Sequence, residues 1–419
     1  MADKVDSFNE DELEAPEWIN ADFLTKVLNS CETDTDITVN NFKITPASAK
    51  GDHYASIMFR IYVEFKQKGE LRKKTLIIKT MPEAEGLKKA ILEKSSIFEI
   101  EIGMYTQILP KFEELLRSVG DKTVLSPKCL YQSLSPKKLI ILEDLVPLGY
   151  ATLHERHINL DEVKMVYSKL AKWHAMSYKI GLENPSIFDD YRYGVMSGTA
   201  MINNIMYKDG VKNFVELLSC TPSLVPYVSY FQNFCENILL KCKDSFNEYR
   251  VNPQETAFYV LSHGDFHNKN LMFKNNKSTG SLEDVMLLDF QFCYFGPLVN
   301  DLIYSFFLIL SPEQRQNNVD ELLYVYYKEF KQILEKVDFK GPKLTLAALK
   351  EQIMKYKHYE LFLLTTLLPM FYGFKDGSVD VGSLMSSSEA RAQIYKNKDY
   401  IKEIEELLPR YLHKGYFEY

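Results

Sequence analysis

The sequence is poor in cysteine, in positive charge and in long apolar runs, and each shortage excludes a class of protein. Its 419 residues include six cysteines and no C-x-x-C pair, so we expect free thiols in a reducing compartment rather than disulfides or a zinc site. The formal net charge of -7 gives no broad basic surface for phosphate backbones. Sequence-independent nucleic-acid binding is therefore not expected.

No segment is expected to enter a membrane. The apolar stretch LFLLTTLLPMFYGF (361–374) contains Pro369 and is shorter than the roughly 20 apolar residues of a membrane span, so it predicts a buried core helix. The N-terminal stretch MADKVDSFNEDELEAP is acidic and polar and lacks the basic and apolar parts of a secretory signal. We expect a cytoplasmic protein. The sequence leaves its oligomeric state open.

The first 145 residues are rich in strands. ITVNNFKITP, IMFRIYVEFK and KTLIIK predict consecutive strands, and KCLYQSL and KLIILEDL predict a hairpin. Residues 84–119 have helical spacing of apolar residues, and the chain after about residue 158 is mainly helical with two short strands. The pattern predicts an α+β protein with a small antiparallel-sheet N-lobe (1–145) and a larger, mostly helical C-lobe (146–419).

The stretch VLSHGDFHNKNLMF (260–273) and the following VMLLDF (285–290) carry the strongest chemical signal. If LMFK and VMLLDF pair as an antiparallel hairpin, Asn270 and Asp289 lie at one end of it, near Asp265. These oxygen donors suit Mg²⁺ together with phosphate oxygens. Asp265 is then placed to orient an attacking hydroxyl. For His267 two alternatives are open, a contact with substrate or γ-phosphate, and packing.

A second group of candidates lies in the predicted sheet. Lys79 ends a strand beside the turn ASAKGDHYAS, where a lysine and backbone N–H groups can hold nucleotide phosphates. Glu101 on the following helix is the expected partner of Lys79, with Glu99 as the competing choice. Ser56 can assist at the turn, which contains a single glycine.

Where the two lobes meet, backbone groups of Glu143 and Leu145 are candidates for pairing with an adenine edge. Each of these motifs is weak alone. Their order along the chain is specific: strand lysine, helix glutamate, lobe junction, H-G-D-x-x-x-x-N, strand and D-F.

These motifs resemble the arthropod ecdysteroid kinase-like family, within the choline-kinase and aminoglycoside-phosphotransferase group of small-molecule kinases. FEIEIGMYTQILP, ILEDL, LAKWHAMS, LSHGDFHNKNLMF and LLDFQFCYFGPLVNDLIYSF carry the resemblance. It implies a bilobal protein-kinase-like fold that uses ATP and Mg²⁺. The resemblance also implies roles for individual residues: Asp265 as catalytic base, Asn270 and Asp289 as metal ligands, and Lys79 with Glu101 as the residues that position the ATP phosphates.

Two departures from protein kinases favour a metabolite as acceptor. Gln291 stands where they usually carry the glycine of D-F-G, and no A-P-E segment follows. The resemblance thus implies phosphorylation of a hydroxyl on a small lipophilic molecule such as an ecdysteroid. The alternatives are a choline- or ethanolamine-like substrate and a pseudokinase that binds a hydrophobic ligand without turnover; the glycine-poor phosphate loop motivates the latter.

Other polar residues near these motifs are predicted to be structural. His263 is expected to bond the loop backbone and hold Asp265, and Asp301 to cap its helix or bond the same backbone. Trp173 and His174 lie on an amphipathic helical pattern and are expected in the core. We expect the substrate-binding residues in aromatic stretches of the C-lobe such as YRYGVMSGTAMINNIMY (191–207).

Overall fold

The computed structural model describes residues 14–31, 36–47, 56–83, 89, 92–153, 158–198, 202–235 and 237–418. Its contacts divide the chain into two compact units. The sheet unit comprises Met1–Glu114, Lys122–Thr152 and Leu271–Gln291, and the helical unit comprises Leu115–Asp121, Leu153–Asn270 and Phe292–Tyr419. The division at residues 145 and 146 stays a prediction; in the structure, the second half of the chain also contributes residues 271–291 to the sheet unit.

The sheet unit contains a five-stranded antiparallel sheet. Its strands are β1 (Ile37–Pro46), β2 (Ile57–Gln67), β3 (Glu70–Thr80), β4 (Cys129–Ser133) and β5 (Leu139–Glu143), in the order β1-β2-β3-β5-β4. Alternate residues of β2, such as Ile57, Phe59 and Ile61, are buried, and they pack in one core cluster with Leu24 and Val27 of helix α1 (Ala21–Cys31). The predicted strands therefore form because a period-two apolar pattern gives the sheet one buried face.

The helix predicted over 84–119 is shorter in the described residues. It begins as α2 (Ile97–Gly103), continues through a π-helical turn (Met104–Ile108) and ends as α3 (Leu109–Ser118). Residues 94–96 are not helical, and residues 84–88 and 90–91 lie outside the described part of the chain. The apolar spacing thus predicted the helix correctly from Ile97 onward but extended it across a break.

The predicted hairpin after the H-G-D motif is present. β8 (Leu271–Asn275) pairs antiparallel with β9 (Leu282–Leu287), and the short β6 (Tyr150–Ala151) pairs with the other edge of β8. Leu271, which follows Asn270 in the chain, is the partner of Leu287. Asp289 was predicted to close the second strand; it lies two residues beyond it.

In its described residues, the helical unit contains helices and one pair of short strands. The helices are α4 (Leu160–Glu183), α5 (Ile205–Cys220), α6 (Val228–Cys235), α7 (Ile238–Val251), α8 (Val299–Leu308), α9 (Pro312–Asn317), α10 (Val319–Lys336), α11 (Leu346–Lys355), α12 (Lys357–Phe362), α13 (Leu368–Lys375), α14 (Val381–Ser386), α15 (Ser388–Gln393) and α16 (Lys398–His413). Short 3₁₀ turns cover Pro185–Phe188, Val195–Ser197, Val225–Tyr227, Asn268–Asn270 and Ile394–Lys396. A 3₁₀ turn at Val146–Leu148 belongs to the sheet unit.

The sequence predicts two short strands after residue 158, and these correspond to the β8–β9 hairpin. It does not predict the strand pair of the helical unit. β7 (Tyr259–Ser262) pairs antiparallel with β10 (Tyr294–Pro297), in addition to the β8–β9 hairpin. These strands have only four residues each, so their apolar runs are too short to show a period. β7 leads directly into the H-G-D motif, and β10 leads into α8.

The apolar stretch 361–374 is helical, as predicted. It runs from the end of α12 through a π-helical turn (Leu363–Leu367) into α13, and most of its side chains are buried. Within the described residues, no helix combines the length and apolar character that crossing a membrane requires. The mixed architecture, with a small antiparallel sheet and a larger set of helices, confirms the predicted α+β fold class.

The sheet core is expected to depend on the buried face of β2. Ile61 is fully buried and its neighbour Tyr62 is 45% exposed on the other face. Ile61→Ala should lower the free energy of unfolding by about 2–5 kcal/mol, because it leaves a cavity in close-packed surroundings. Tyr62→Ala is the matched control and should cost far less. Chemical denaturation of both variants checks this, and equal losses would contradict the assigned faces.

Candidate active-site residues

A buried cluster of three charged side chains lies at the end of β3. The Lys79 ammonium is 2.6 Å from Glu101 Oε2 and 2.7 Å from Asp289 Oδ1. Glu101 belongs to α2, and its neighbour Glu99 instead pairs with Lys138 near the surface. The structure therefore brings Lys79 together with the expected Glu101 rather than with Glu99.

The charges of this cluster stabilise one another in a desolvated place. Burial alone would lower the pKa of Lys79, but the charges of Asp289 and Glu101 outweigh it and raise that pKa above its ordinary value. Burial raises the pKa of Glu101, as does the charge of Asp289, while Lys79 opposes the rise. Two carboxylates thus share one ammonium, which gives the cluster an excess of negative charge when all three groups are ionised.

Asp289 has a backbone conformation that is uncommon for a residue with a side chain. Its φ is 64°, in the left-handed region. The next residue, Phe290, is fully buried and packs edge-on against Tyr105 with ring centroids 5.1 Å apart. The Gln291 amide lies 3.3 Å from the other carboxylate oxygen of Asp289. The packing of Phe290 holds Asp289 in the conformation that aims its carboxylate at Lys79.

The remaining predicted nucleotide residues lie in the same unit. Ser56 is buried and directly precedes β2, whose first residue Ile57 pairs with Thr80, next to Lys79. The predicted phosphate loop between β1 and β2 lies otherwise outside the described residues, because 48–55 are not described. Of its ten residues the structure describes Ala47 and Ser56, and Ser56 lies beside the Lys79 end of β3.

Glu143 and Leu145 lie at the end of β5 and just beyond it. The Glu143 carboxylate accepts a hydrogen bond from the backbone N–H of Lys128 at 2.7 Å. The Leu145 carbonyl accepts from the N–H groups of Leu148 and Tyr150. An adenine contact at Leu145 would therefore use its N–H, since its carbonyl is committed to the turn.

A groove of about 530 Å³ lies beside this segment. It is lined by residues of β2, β3, the end of β5 and the turn that follows it, among them Tyr62, Thr75, Glu143, Asp144 and Leu148. Thr75 and Lys79 lie at even spacing on β3, so their side chains share one face of the sheet. The groove and the Lys79 cluster are thus on the same face.

Asp265, the predicted base, lies in the helical unit among hydrogen-bond donors. The hydroxyl of Tyr304 donates to Asp265 Oδ1 at 2.9 Å. His267 Nε2 and Asn270 Nδ2 each lie 3.3 Å from Oδ2. One-fifth of the Asp265 side chain remains exposed. The structure therefore brings Asp265, His267 and Asn270 together and adds Tyr304, which sequence analysis did not name.

This environment keeps Asp265 ionised. Burial alone would raise its pKa, but the charges of His267 and His263 and the hydrogen bonds from His267 and Tyr304 lower the pKa to about 2. A carboxylate with so low a pKa is a weak base at neutral pH. It is suited to orienting a hydroxyl by accepting its hydrogen bond, which is the main demand that phosphoryl transfer makes on such a residue.

The amide of Asn270 is oriented by the same loop. Its Nδ2 donates to the backbone carbonyl of Asp265 at 2.9 Å, so its Oδ1 points away from that bond as the acceptor end of the group. No group of three or more His, Cys, Asp or Glu side chains that could hold a metal occurs among the described residues. Asn270 and Asp289 belong to different units, so their predicted role as shared Mg²⁺ ligands stays a prediction; an amide oxygen and a carboxylate are of the kind that Mg²⁺ binds.

The backbone before Asp265 is fixed by Asp301 of α8. The Asp301 carboxylate accepts from the N–H of His263 at 2.6 Å and from that of Gly264 at 3.0 Å. Gly264 has φ 80°, and a Cβ there would lie 2.1 Å from the carbonyl oxygen of Phe292. Asp301 thus bonds the loop backbone, one of its two predicted roles. Only glycine fits at position 264.

Trp173 and His174 are in the core, as predicted, but both also make polar contacts. The Trp173 indole N–H donates to the Leu261 carbonyl of β7 at 2.6 Å, and the His174 ring contacts Asp301. His263 is buried between the rings of Trp173 and Phe266. An apolar helical stripe carries no signal for such contacts, because they join residues far apart in the chain.

Comparison with known proteins gives the family. The sequence model of the Ecdysteroid kinase-like family matches residues 50–339, well over half of the chain. The protein therefore belongs to the ecdysteroid kinase-like family, which confirms the resemblance read from the motifs. A comparison with curated proteins finds no match.

Solved structures of small-molecule phosphotransferases are distantly similar to this chain. An AMP-bound spectinomycin phosphotransferase has 16% identity and a TM-score of 0.37, with 92% of this chain and 95% of that chain covered. An amicoumacin kinase in complex with AMP-PNP, Ca²⁺ and Ami has 11% identity and a TM-score of 0.41 over 93% and 94% of the two chains. An aminoglycoside phosphotransferase from Alicyclobacillus acidocaldarius has 9% identity and a TM-score of 0.40 over 93% and 95%.

Tyr304→Phe is expected to raise the pKa of Asp265 from about 2 towards its ordinary value of 3.8, because it removes a donor to the ionised carboxylate. The folded-state pKa lies below the unfolded one, so the stabilisation from Asp265 is present at neutral pH and is lost as the pH falls through the folded-state pKa. The variant should be less stable at pH 7 by about 1 kcal/mol. That difference should shrink below about pH 4.

Denaturation at several pH values, with carboxyl carbon NMR of Asp265, measures both effects. Tyr178→Phe is the control, because the Tyr178 hydroxyl donates to the Pro342 carbonyl instead. An unchanged Asp265 pKa in Tyr304→Phe would show that the hydrogen bond does not act on the carboxylate.

Proposed function

We propose that the protein is an ATP- and Mg²⁺-dependent phosphotransferase that phosphorylates a hydroxyl of a small, lipophilic molecule such as an ecdysteroid. The observation that carries the proposal is the buried Lys79, held between Glu101 and Asp289. A fully desolvated lysine with two carboxylate partners is costly and has no value as a surface charge. Its chemical use is to present a fixed ammonium to phosphate oxygens.

Charge balance supports a divalent cation and a nucleotide at this cluster. Glu101 and Asp289 together carry one more negative charge than Lys79 neutralises. We assign Asn270 and Asp289 as the protein ligands of Mg²⁺, which neutralises charge on the phosphate oxygens when bound. Lys79 then contacts the phosphates while Glu101 keeps its ammonium in place, and Ser56 assists at the phosphate loop.

The adenine is assigned to the end of β5. The N–H of Leu145 and the backbone of Glu143 are the pairing groups, and the groove bordered by Tyr62, Thr75 and Glu143 offers space for the nucleoside on the face of the sheet that carries Lys79. Lys73, which lies on the same face of β3 as Thr75 and Lys79, also lines the groove.

Asp265 has the role of aligning the acceptor. Its ionised carboxylate accepts a hydrogen bond from the attacking hydroxyl and takes its proton late in the transfer to phosphate. Tyr304 occupies Oδ1 and fixes the carboxylate plane, so that the acceptor approaches an oriented group. Catalysis comes mostly from this positioning and from the electrostatics of the phosphate site.

The neighbours of Asp265 favour a lipophilic acceptor. The Tyr304 ring lies beside the carboxylate, and Tyr207 of α5 is close enough to Asp265 for the carboxylate charge to contribute to raising the pKa of Tyr207 to about 12, after burial. Tyr207 ends one of the aromatic stretches singled out in the sequence, and its ring packs on Phe362. Flat, uncharged ring surface next to the base suits an alcohol on an apolar ring system.

Glu101→Gln should weaken binding of ATP in the presence of Mg²⁺ by about tenfold or more, because Lys79 loses one of the two charges that hold it. Glu99→Gln is the matched control two residues away; its partner Lys138 is at the surface, so nucleotide affinity should not change. Titration with a fluorescent ATP analogue gives both dissociation constants. Equal affinities in the two variants would remove Glu101 from the nucleotide site.

Transfer of radiolabelled γ-phosphate from ATP tests the activity itself. Wild type, Asp265→Asn and Asp289→Asn are compared with Mg²⁺ over ecdysteroids, choline, ethanolamine and aminoglycosides. Asp265→Asn should bind ATP normally and lose turnover by roughly 10²–10⁴-fold. Asp289→Asn should lose Mg²⁺-dependent ATP binding as well, since it removes a metal ligand.

The outcomes separate the alternatives. Label on choline or ethanolamine alone would replace the lipophilic acceptor with a cationic one. ATP binding without label on any acceptor, and without slow hydrolysis, would favour a pseudokinase. Full activity of Asp265→Asn would show that the assigned base is wrong.

A further inference from the structure

A chain of three buried side chains from three helices ends on the backbone that precedes Asp265. Tyr326 of α10 lies with its hydroxyl 2.7 Å from His174 Nδ1, and His174 Nε2 of α4 lies 3.1 Å from Asp301 Oδ2. Asp301 in turn accepts from the N–H groups of His263 and Gly264. At most 2% of the Tyr326, His174 and Asp301 residue surfaces is exposed.

The chemistry of the acceptors decides where the protons are. An ionised carboxylate only accepts hydrogen bonds, so His174 Nε2 must carry a proton to bond Asp301. If the imidazole is neutral, Nδ1 is an acceptor, and the Tyr326 hydroxyl donates to it. Every polar side-chain atom of Tyr326, His174 and Asp301 then has a hydrogen-bond partner, and no positive charge has to be buried. Burial, followed by the charge of Asp301, raises the pKa of Tyr326 well above its ordinary value, so the phenol keeps its proton.

Helix α4, which carries His174, also bonds β7, the strand that leads into the catalytic loop. Trp173 Nε1 donates to the Leu261 carbonyl, and Ser177 Oγ accepts from the Leu261 N–H at 3.1 Å. Side chains of α4 thus bond both backbone groups of Leu261, and His174 contacts Asp301, which bonds the amides of His263 and Gly264. Side chains thus bond the backbone of Leu261, His263 and Gly264, in addition to the pairing of β7 with β10.

We propose that His174 is a positioning residue for the catalytic loop, acting as the neutral Nε2–H tautomer in a Tyr326–His174–Asp301 relay that sets the backbone of His263 and Gly264 and thereby the place of Asp265. The three relay side chains are buried, and none of them is assigned to the nucleotide or the acceptor. Its effect is on how well Asp265 is placed, because a positioning error of about 1 Å is enough to cost catalysis heavily.

The experiment compares four variants of the full chain by hydrogen–deuterium exchange of the segment 260–270. His174→Leu removes the donor to Asp301, and His174→Gln restores an N–H donor on a side chain of similar length. Tyr326→Phe removes the outer donor only. Tyr167→Phe is the matched control: its buried hydroxyl bonds Ser305 Oγ at 2.7 Å, also between α4 and α8, without touching the loop.

His174→Leu is expected to speed exchange of this segment by roughly tenfold, and Tyr326→Phe by a smaller factor of roughly threefold, as the loss of a buried hydrogen bond implies. His174→Gln should return the exchange rate close to that of wild type. Tyr167→Phe should lower the melting temperature without affecting the segment. Equal exchange in His174→Leu and Tyr167→Phe, or no recovery in His174→Gln, would overturn the relay.

Nitrogen NMR of selectively labelled histidine gives an independent check of the tautomer in wild type, and it needs no activity. The His174 ring, assigned by its loss in His174→Gln or, if neither His174 variant folds, by its shift in Tyr326→Phe, should show a protonated Nε2 and an acceptor-type Nδ1. A protonated Nδ1 would overturn the assignment. Because exchange and NMR require no turnover, the relay can fail or succeed whether or not the proposed kinase activity is found.

If transfer activity is measurable, the same variants separate positioning from simple loss of stability. Below their melting temperatures, His174→Leu and Tyr326→Phe should lower kcat while leaving the KM for ATP unchanged, and His174→Gln should recover most of kcat. A rise in the KM for ATP with kcat unchanged would contradict a role at Asp265.

Discussion

The buried ammonium of Lys79 is the group on which the proposed nucleotide chemistry depends. An isolated charge in this place would be strongly disfavoured, and it is tolerated because Glu101 and Asp289 lie within 2.7 Å of it. The three residues come from β3, from α2 and from the segment after β9, so the ion cluster ties the central sheet to a helix and to the β8–β9 hairpin. Loss of Lys79 would leave the carboxylates of Glu101 and Asp289 without their compensating charge.

The left-handed backbone of Asp289 is part of the same constraint. Such a conformation costs free energy in a residue with a side chain and persists only where its surroundings enforce it. The buried Phe290 supplies that enforcement on one side and the ion pair with Lys79 on the other. The backbone conformation of Asp289 therefore costs stability, but it fixes the direction of the carboxylate.

Much of the sheet unit could be predicted from the sequence, because its signals are local. The alternation in β2, the hairpin of β4 and β5 and the order of Lys79 and Glu101 are all readable along the chain. The break at residues 94–96 was missed because apolar spacing continued across it. The left-handed φ of Asp289 is set by tertiary packing and has no local signal.

The helical unit was predicted less completely because its polar contacts are long-range. Tyr304 was not singled out in the sequence, although its hydroxyl bonds Asp265. His174 was correctly expected in the core, but a helical stripe does not reveal that a buried histidine bridges two other elements. In both cases the side chain is amphipathic: its ring satisfies the apolar pattern, and its polar atom makes a bond that only the fold defines.

Two aspartates near the H-G-D motif show how a structure distinguishes a structural from a reactive carboxylate. Asp301 is almost fully buried, and its oxygens accept from two backbone N–H groups and from His174. Its hydrogen bonds are made inside the protein, and it is too deeply buried to meet a ligand. Asp265 keeps one-fifth of its side chain exposed, and its Oδ2 has only long contacts at 3.3 Å. An acceptor hydroxyl can still bond Asp265, so the carboxylate with unused hydrogen-bonding capacity is the one assigned to chemistry.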